Sequence, residues 1–328
     1  MSLSLRAAAL ALTLAASLVL PLSPAVAQAP DYPSRPVKIV VPFGAGGPAD
    51  VYARVLAQHL SEALKQPFVV EDRPGAGSLI GTDAVAKSPP DGYTLLAMSN
   101  THTTNESLIP NKPFQLMRDF VPVAGINYSD LVMVVHPSVP AKDLKEFIAY
   151  AKSKPGELNY ASSGAGTPYH MAGELFKAMS GTNLVHVPHK ASGEARNSVI
   201  GGHVQMMFDA ITTMTPNVKA GQVRALGTSA AKRSTVLSDV PTIAEAGVPG
   251  YESTIWLGIM APAGTPAAIV DKLNGEINKM LARPETKEVW AKQGAEPLVM
   301  TPAEFDKYLR ADIDKWAKVI HTAGIKVQ

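Results

Sequence analysis

The chain has 328 residues, of which 46% are hydrophobic and 18% are charged, and its formal net charge is +2. This length and composition indicate a globular protein with room for two domains and exclude a mainly disordered chain. The near balance of 30 basic and 28 acidic residues lacks the excess positive charge typical of proteins that bind nucleic acid. Because the chain contains no cysteine, we expect neither a disulfide nor a lipid-anchored cysteine.

Residues 1–27 have the pattern of a bacterial export signal. Arg6 is the only positively charged side chain of this segment, and an apolar run of about 14 residues follows it. That run is shorter than the roughly 20 residues that a membrane-spanning helix needs. Small residues at Ala25 and Ala27 match a signal-peptidase site. We therefore expect cleavage after Ala27 and a soluble mature protein in the periplasm.

A strand, a glycine-rich turn and a helix are predicted at the start of the mature chain. The apolar run 37–41 indicates a buried strand, and Gly44, Gly46 and Gly47 allow a sharp turn that can lie close to a ligand. Pro48 suits the first position of a helix, where its missing N–H costs nothing. The exposed N–H groups and the dipole of such a helix start favour an anion.

This turn allows three interpretations. Gly44, Gly46 and Ala49 fit a dinucleotide-binding fingerprint, with Glu71 or Asp72 near the place of the ribose-binding acid. Alternatively, the turn holds a small carboxylate, or it is a tight connection that binds nothing. Export weakens the dinucleotide interpretation, because nicotinamide cofactors belong mainly to the cytoplasm.

The remaining chain alternates strand and helix patterns, which predicts α/β layers throughout. Polar residues 127–130 lie between the predicted strands 120–126 and 131–135 and are predicted to be the crossing into a second domain, and strand 254–260 is predicted to lead back. The predicted strands are 67–71, 93–98, 120–126, 131–135, 158–161, 183–188, 204–208, 223–228 and 254–260. The predicted helices are 79–87, 144–152, 169–179, 195–200, 212–220, 267–282 and a closing helix that starts at a capping box, Thr301 to Glu304, and runs to His321.

Two further stretches place polar groups where a ligand could bind. The segment 162–168 repeats the opening design, with a strand before it, glycines and a proline within it, and a helix after it. It therefore predicts a second helix start that favours anions. Ser99 and Asn100 follow the predicted strand 93–98, at the end of the strand where ligands of open α/β sheets gather.

The mature chain resembles the periplasmic receptors of tripartite tricarboxylate transporters, the Bug family. The resemblance covers nearly all of the mature chain. The matching segments are Tyr32–Val37, Val41–Asp50, Glu71–Gly77, Pro90–Leu96, Ser163–Phe176, Gly201–Asp209, Asp239–Gly247 and Ala261–Pro266.

The resemblance implies an α/β, two-lobed periplasmic binding protein, a Venus flytrap of type II-like topology with a hinge and a cleft between its lobes. It implies that residues 28–127 and 250–328 form lobe 1 and that residues 128–249 form lobe 2. It also implies a binding protein rather than an enzyme, with no cofactor and no metal.

The resemblance further implies a set of residues that bind the ligand. The turn after the first strand and the segment after the predicted strand 158–161 would grip it from opposite sides. The implied residues are Phe43, Gly44, Ala45, Gly46, Gly47, Pro48, Ala49, Asp50, Ser99, Asn100, Ser162, Ser163, Gly164, Gly166, Thr167, His170, Ala191, Ser192 and Asp209.

The implied function is the binding of a small carboxylate of one of three classes: a di- or tricarboxylate, an acidic amino acid or an aromatic carboxylate. The implied partners are the large and small membrane subunits of a transporter, and the receptor itself is expected to be a monomer that binds no nucleic acid. A periplasmic sensor that feeds a signalling system is one alternative, and a dinucleotide-binding oxidoreductase is the other.

The segment 190–196 departs from the family pattern. Glu194 stands where the family usually has proline, and Arg196 stands where it usually has leucine. We hypothesise that Arg196 pairs with a distal carboxylate of the ligand. The alternative is that Arg196 belongs to a charged helix start in solvent, since exposed arginine is the norm.

Metal and hydrolase sites are poorly supported. His186 and His189 lie three apart on a predicted strand and so face opposite sides. Ser163 lacks the glycine that a nucleophile elbow needs two residues earlier, and a pair of Ser163 with His170 lacks an orienting acid.

Overall fold

The computed structural model describes residues 32–326, so the predicted signal peptide lies outside the described residues. Within them, no helix has both the length and the apolar character required to cross a bilayer. The helices are α1 Pro48–Leu64, α2 Leu79–Ala86, α3 Asn100–Leu108, α4 Leu116–Asp119, α5 Leu144–Ser153, α6 Pro168–Ser180, α7 Ser192–Ile200, α8 Ile211–Lys219, α9 Ala267–Ala282, α10 Pro284–Gln293 and α11 Pro302–Ala323. The strands are β1 Val37–Val41, β2 Phe68–Asp72, β3 Thr94–Ser99, β4 Phe120–Val135, β5 Asn159–Ser162, β6 Val185–Pro188, β7 Met206–Ala210, β8 Arg224–Thr228, β9 Thr254–Pro262 and β10 Ala295–Pro297.

The strands form one mixed sheet in the order β2-β1-β3-β9-β4-β7-β5-β6, and β8 and β10 also pair with β4. The long strand β4 belongs to two halves of this sheet. Its first part, Phe120–Asp130, lies antiparallel to β9, whereas Leu131–Val135 pairs with β7 and β8. We call β2-β1-β3-β9 with β10 and the first part of β4 the first half-sheet. The second half-sheet is β7-β5-β6 with β8 and the remainder of β4.

The predicted division into separate strands 120–126 and 131–135 is wrong, because residues 127–130 continue β4 without a break. Their polar side chains suggest a loop, but strand pairing on both sides determines their conformation. Tyr128 pairs with Trp256 of β9 on one side and with Glu296 of β10 on the other. This pairing provides hydrogen-bond partners for backbone groups that burial would otherwise leave unsatisfied.

The end of β4 is apolar on both faces because helices cover both sides of the second half-sheet. Leu131, Met133 and Val135 pack into one core cluster with Phe147 and Phe176. The alternate residues of the strand pack into a second cluster on the opposite face, with Val199, Ile211 and Met214. Alternation along a strand sends neighbouring side chains to opposite faces, so a continuous apolar run is expected where both faces are buried.

Two predicted helices begin where the sequence indicates. Helix α9 spans the predicted residues 267–282. Helix α11 begins at the predicted capping box, in which the Thr301 hydroxyl accepts from the Glu304 N–H at 3.2 Å and the Glu304 carboxylate accepts from the Thr301 N–H at 2.8 Å. The apolar periodicity of α9 and the capping box of α11 are local features of the sequence. The positions of these helices can therefore be predicted from the sequence alone.

Candidate functional site

A cavity of about 1040 Å³ lies between loops of the first and the second half-sheet. The loop between β1 and α1 and the loop between β2 and α2 form one wall. The segments 163–169 and 188–194 form the other wall. The lining residues are Pro42, Phe43, Gly44, Gly47, Pro48, Ala49, Pro74, Gly75, Ala76, Gly77, Ser78, Leu79, Ser99, Ile109, Ser163, Gly164, Ala165, Thr167, Pro168, Tyr169, Pro188, His189, Lys190, Ser192, Glu194, Ile255 and Leu257.

The structure brings many of the sequence-predicted residues to this cavity. Those that line it are Phe43, Gly44, Gly47, Pro48, Ala49, Ser99, Ser163, Gly164, Thr167 and Ser192. The other predicted residues do not line it and instead lie beside or behind its walls. These are Ala45, Gly46, Asp50, Asn100, Ser162, Gly166, His170, Ala191, Arg196 and Asp209.

Helix α1 presents its N-terminus to the cavity. Gly47 is the N-cap and Pro48 is the first helical residue, so the next N–H groups belong to Ala49 and Asp50 and have no acceptor within the helix. The Asp50 side chain is buried and does not line the cavity. Its carboxylate accepts from the Gly46 N–H at 2.8 Å and pairs with the Arg54 guanidinium at 2.6 Å. Asp50 therefore fixes the turn and leaves the backbone donors of the helix start to a ligand.

Helix α6 presents a second N-terminus to the same cavity. Thr167 is the N-cap, Pro168 follows it, and the Thr167 hydroxyl donates to the Gly164 carbonyl at 2.7 Å. The Gly164 N–H donates to the Ser162 hydroxyl at 3.1 Å, and the Gly166 N–H donates to His170 Nδ1 at 3.1 Å. These bonds occupy the Gly164 and Gly166 donors of the loop. The first N–H groups of α6 have no acceptor within the helix.

Two histidines support the α6 loop from behind. The rings of His170 and His186 lie 4.2 Å apart, and Tyr160 stacks on His186 at 4.9 Å. His186 Nε2 lies 2.6 Å from the Ser162 hydroxyl. Burial lowers the pKa of His170 to about 4 and the pKa of His186 to about 3. Both rings are therefore neutral at pH 7, and neutral His170 can accept the Gly166 N–H.

Arg196 does not belong to a solvated helix start. Its guanidinium Nε lies 2.7 Å from Asp209 Oδ2, and its side chain is only 15% exposed. Burial raises the pKa of the Asp209 carboxyl, and the Arg196 guanidinium opposes that rise. The pair lies beside Tyr169 and Ser192, which both line the cavity.

Ser99 follows the third predicted strand as expected, but it also begins a helix that the sequence analysis misses. The Ser99 hydroxyl accepts from the Thr101 N–H at 3.2 Å, and His102 Nδ1 accepts from the Ser99 N–H at 3.2 Å. Helix α3 follows directly. Its residues are mostly polar and lack an apolar stripe, so periodicity gives no signal for it.

The loop 74–78, Leu79 at the start of α2 and three residues with ionisable side chains also line the cavity, although they are not among the residues predicted from the sequence. The loop follows the parallel strand β2, so the rule that ligands bind at the carboxyl ends of strands could have identified it. His189, Lys190 and Glu194 line the opposite wall, where the Lys190 N–H donates to the Glu194 carboxylate at 3.2 Å.

Among residues 32–326, no three His, Asp or Glu side chains are grouped as metal ligands. The groups that line the cavity are backbone N–H groups, hydroxyls, the ionisable side chains of His189, Lys190 and Glu194, and apolar walls. No nucleophile elbow is present at Ser163, which the structure places on the cavity wall between Ser162 and Gly164.

The fold is similar to those of solved binding proteins. Rpa4515 of R. palustris, solved with adipate, is 38% identical and has a TM-score of 0.87 over 90% of this chain and 99% of that chain. The periplasmic binding protein BugD is 35% identical, with a TM-score of 0.86 over 90% and 100% of the two chains. MatC from Rhodopseudomonas palustris, solved with bound malate, is 32% identical, with a TM-score of 0.84 over 88% and 100%.

The molecule is thus a two-lobed α/β binding protein of the periplasmic binding protein class, and it is a receptor rather than an enzyme. A family model described as tripartite tricarboxylate transporter family receptor matches residues 52–325. The chain belongs to this family, the Bug receptors. The sequence resemblance is confirmed, and the oxidoreductase alternative is wrong.

Proposed function

We propose that this receptor binds a small carboxylate in the periplasm and delivers it to a tripartite tricarboxylate-type transporter with a large and a small membrane subunit. One observation carries the proposal: the N-termini of α1 and α6 lie on the walls of a single cavity. Related structures solved with adipate and malate support the carboxylate class.

The physical basis is a pair of anion-binding helix starts. Each start offers unpaired backbone N–H groups and the positive end of a helix dipole. Hydrogen bonds from such donors to an ionised carboxylate are charge-assisted and stronger than bonds between neutral groups. Because the donors belong to the backbone, the receptor can hold the anion without a dedicated arginine.

Three other expectations belong to this proposal. The export signal is cleaved after Ala27, the mature receptor acts as a monomer, and residues 128–249 move as lobe 2 against residues 28–127 with 250–328. The sharing of β4 between two half-sheets supports a division close to these limits. N-terminal sequencing of the exported protein tests the cleavage site.

The proposal is tested by calorimetric titration of the protein with acid and amide pairs. Adipate and malate are compared with adipamide and malamide, which have similar shapes but carry no charge. We expect a carboxylate to bind while its diamide does not. Native mass spectrometry of the protein purified from the producing cells identifies any metabolite that stays bound. It therefore detects acids other than adipate and malate. A retained neutral ligand, together with no binding by any acid, would contradict the proposal.

A further inference from the structure

The two walls of the cavity approach each other closely at Gly44 and Gly47. A β-carbon placed on Gly44 would lie 2.4 Å from the β-carbon of Ala191, and one placed on Gly47 would lie 2.8 Å from Ser192 Oγ. Both distances are shorter than ordinary van der Waals contact. At Gly44 the opposing atom is a methyl carbon that no side-chain rotation moves, so the walls can adopt this spacing only because position 44 carries no side chain. At Gly47 the opposing atom is a hydroxyl oxygen that a change of rotamer moves away.

The turn itself does not require these two glycines. Gly46 has a φ of +77°, which favours glycine, whereas Gly44 and Gly47 do not have a positive φ. Gly47 is extended, with φ −83° and ψ 167°, a conformation that any residue adopts. The sequence predicts that all three glycines are needed for the turn. In the structure only Gly46 has a backbone conformation that favours glycine, whereas Gly44 and Gly47 lie where the two walls of the cavity approach each other closely.

We propose that the pairs Gly44–Ala191 and Gly47–Ser192, which we call the closure contacts, determine how far the cavity closes and thereby set ligand affinity. The contacts join the loop before α1, on the first half-sheet, to the start of α7, on the second. A methyl group at position 44 meets the Ala191 β-carbon and keeps the walls apart. The helix starts of α1 and α6 then cannot both reach one ligand.

Equally close approaches occur at two other points between the half-sheets. A β-carbon on Gly77 would lie 2.8 Å from the Ala165 carbonyl oxygen, and one on Gly166 would lie 2.4 Å from Asn105 Oδ1. Gly77 and Gly166 have φ values of +61° and +75°, so any substitution there also strains the backbone. For this reason Gly44 and Gly47 are the informative positions.

The first test is a rescue experiment on ligand affinity, and it rests on the proposed function. Gly44→Ala is expected to weaken the binding of whichever carboxylate binds the wild type by about tenfold or more, since overpacking prevents close approach. Removal of the opposing methyl group in Gly44→Ala/Ala191→Gly is expected to restore most of the affinity. The control Gly193→Ala, next to Ser192, meets no atom within 4 Å and should bind like the wild type.

The outcomes separate a steric contact from a folding defect. A Gly44→Ala protein that keeps wild-type thermal stability but loses affinity, with rescue by Ala191→Gly, supports the proposal. Unchanged affinity in Gly44→Ala, or a loss that Ala191→Gly does not restore, overturns it.

The second test needs no ligand and uses the absence of cysteine from the chain. The double variant Gly47→Cys/Ser192→Cys should form a disulfide under mild oxidation, because the two positions approach within the range that a disulfide spans. Gly47→Cys/Gly193→Cys is the matched control and should keep free thiols under the same conditions. Free thiols in the first variant would overturn the closure contacts even if a carboxylate binds. If no carboxylate binds the wild type but the disulfide forms, the proposed function fails and the contacts stand.

Discussion

At the scale of single residues, His170 acts on the cavity through the loop rather than by direct contact. Its Nδ1 accepts the Gly166 N–H and so fixes the chain immediately before α6. We expect His170→Asn, whose side-chain oxygen can accept at a similar position, to bind ligand nearly as well as the wild type. His170→Leu leaves a buried N–H unpaired and should cost about 1–3 kcal/mol in stability and weaken ligand binding. Equal affinities for the Asn and Leu variants, measured by calorimetry, would contradict this role.

The same residue makes stability depend on pH. In the unfolded chain His170 takes up a proton near pH 6.5, but in the folded protein burial lowers its pKa to about 4. The unfolded state therefore binds more protons between these values, so the free energy of unfolding decreases as the pH falls from about 6.5 to 4. We expect thermal denaturation to show this decrease for the wild type and a shallower one for His170→Asn. Identical pH profiles would show that His170 is not the group responsible.

Arg196 and Asp209 form a buried ion pair that a substitution at either residue would break. Arg196→Leu leaves the Asp209 carboxylate buried without its partner, and such losses cost about 3–5 kcal/mol. We expect a large fall in thermal stability, measured by calorimetry. The double variant Arg196→Leu/Asp209→Asn removes the unpaired charge and should recover part of that stability. A single variant as stable as the wild type would contradict this interpretation of the pair.

The residue types in the turns predicted which segments form the site, but they did not predict which side chains pair with each other there. Glycine and proline in the turns predicted both helix starts, because these residues act through local backbone geometry. The contact of Arg196 with Asp209 joins α7 to β7, 13 positions apart, and depends on tertiary packing. Nothing in the local sequence distinguishes such a partner from a carboxylate of the ligand.

At the scale of elements, Asp50 and Arg54 connect the start of α1 to the strand beside it. Arg54 pairs with Asp50 at 2.6 Å and with Asp72 of β2 at 2.9 Å. We expect Asp50→Ala to release the Gly46 N–H, loosen the turn and weaken carboxylate binding about tenfold. Asp306→Ala is the control, because it removes an exposed pair with Arg310 in the same i, i+4 arrangement on α11. Similar affinity in both variants would show that Asp50 does not order the site.

The sequence predicted most elements of this chain but not the continuity of β4. Long amphipathic helices such as α9 are decided by their own periodicity, whereas β4 runs through the polar residues 127–130 because β9 and β10 pair with it. Strand pairing is a long-range property, so the local pattern gave the opposite answer there. Helix α3 was missed for a related reason, since its polar residues are buried by contacts with other elements.

At the scale of the whole molecule, ligand binding is expected to favour the closed arrangement of the two half-sheets. A ligand that binds both walls binds this state better and shifts the population towards it. Small-angle scattering should therefore show a smaller radius of gyration when the wild type is saturated with a carboxylate. The oxidised Gly47→Cys/Ser192→Cys variant should be compact without ligand and should change little when it is added. No difference between the free and saturated wild type would contradict ligand-driven closure.

The central claim is that one carboxylate-bearing metabolite lies between the N-termini of α1 and α6. A crystal structure of the loaded protein tests it most directly. We expect carboxylate oxygens within hydrogen-bonding distance of backbone N–H groups at residues 47–50 and 164–170. A bound ligand that lacks an acidic group, or one whose carboxylates contact neither helix start, would contradict the claim.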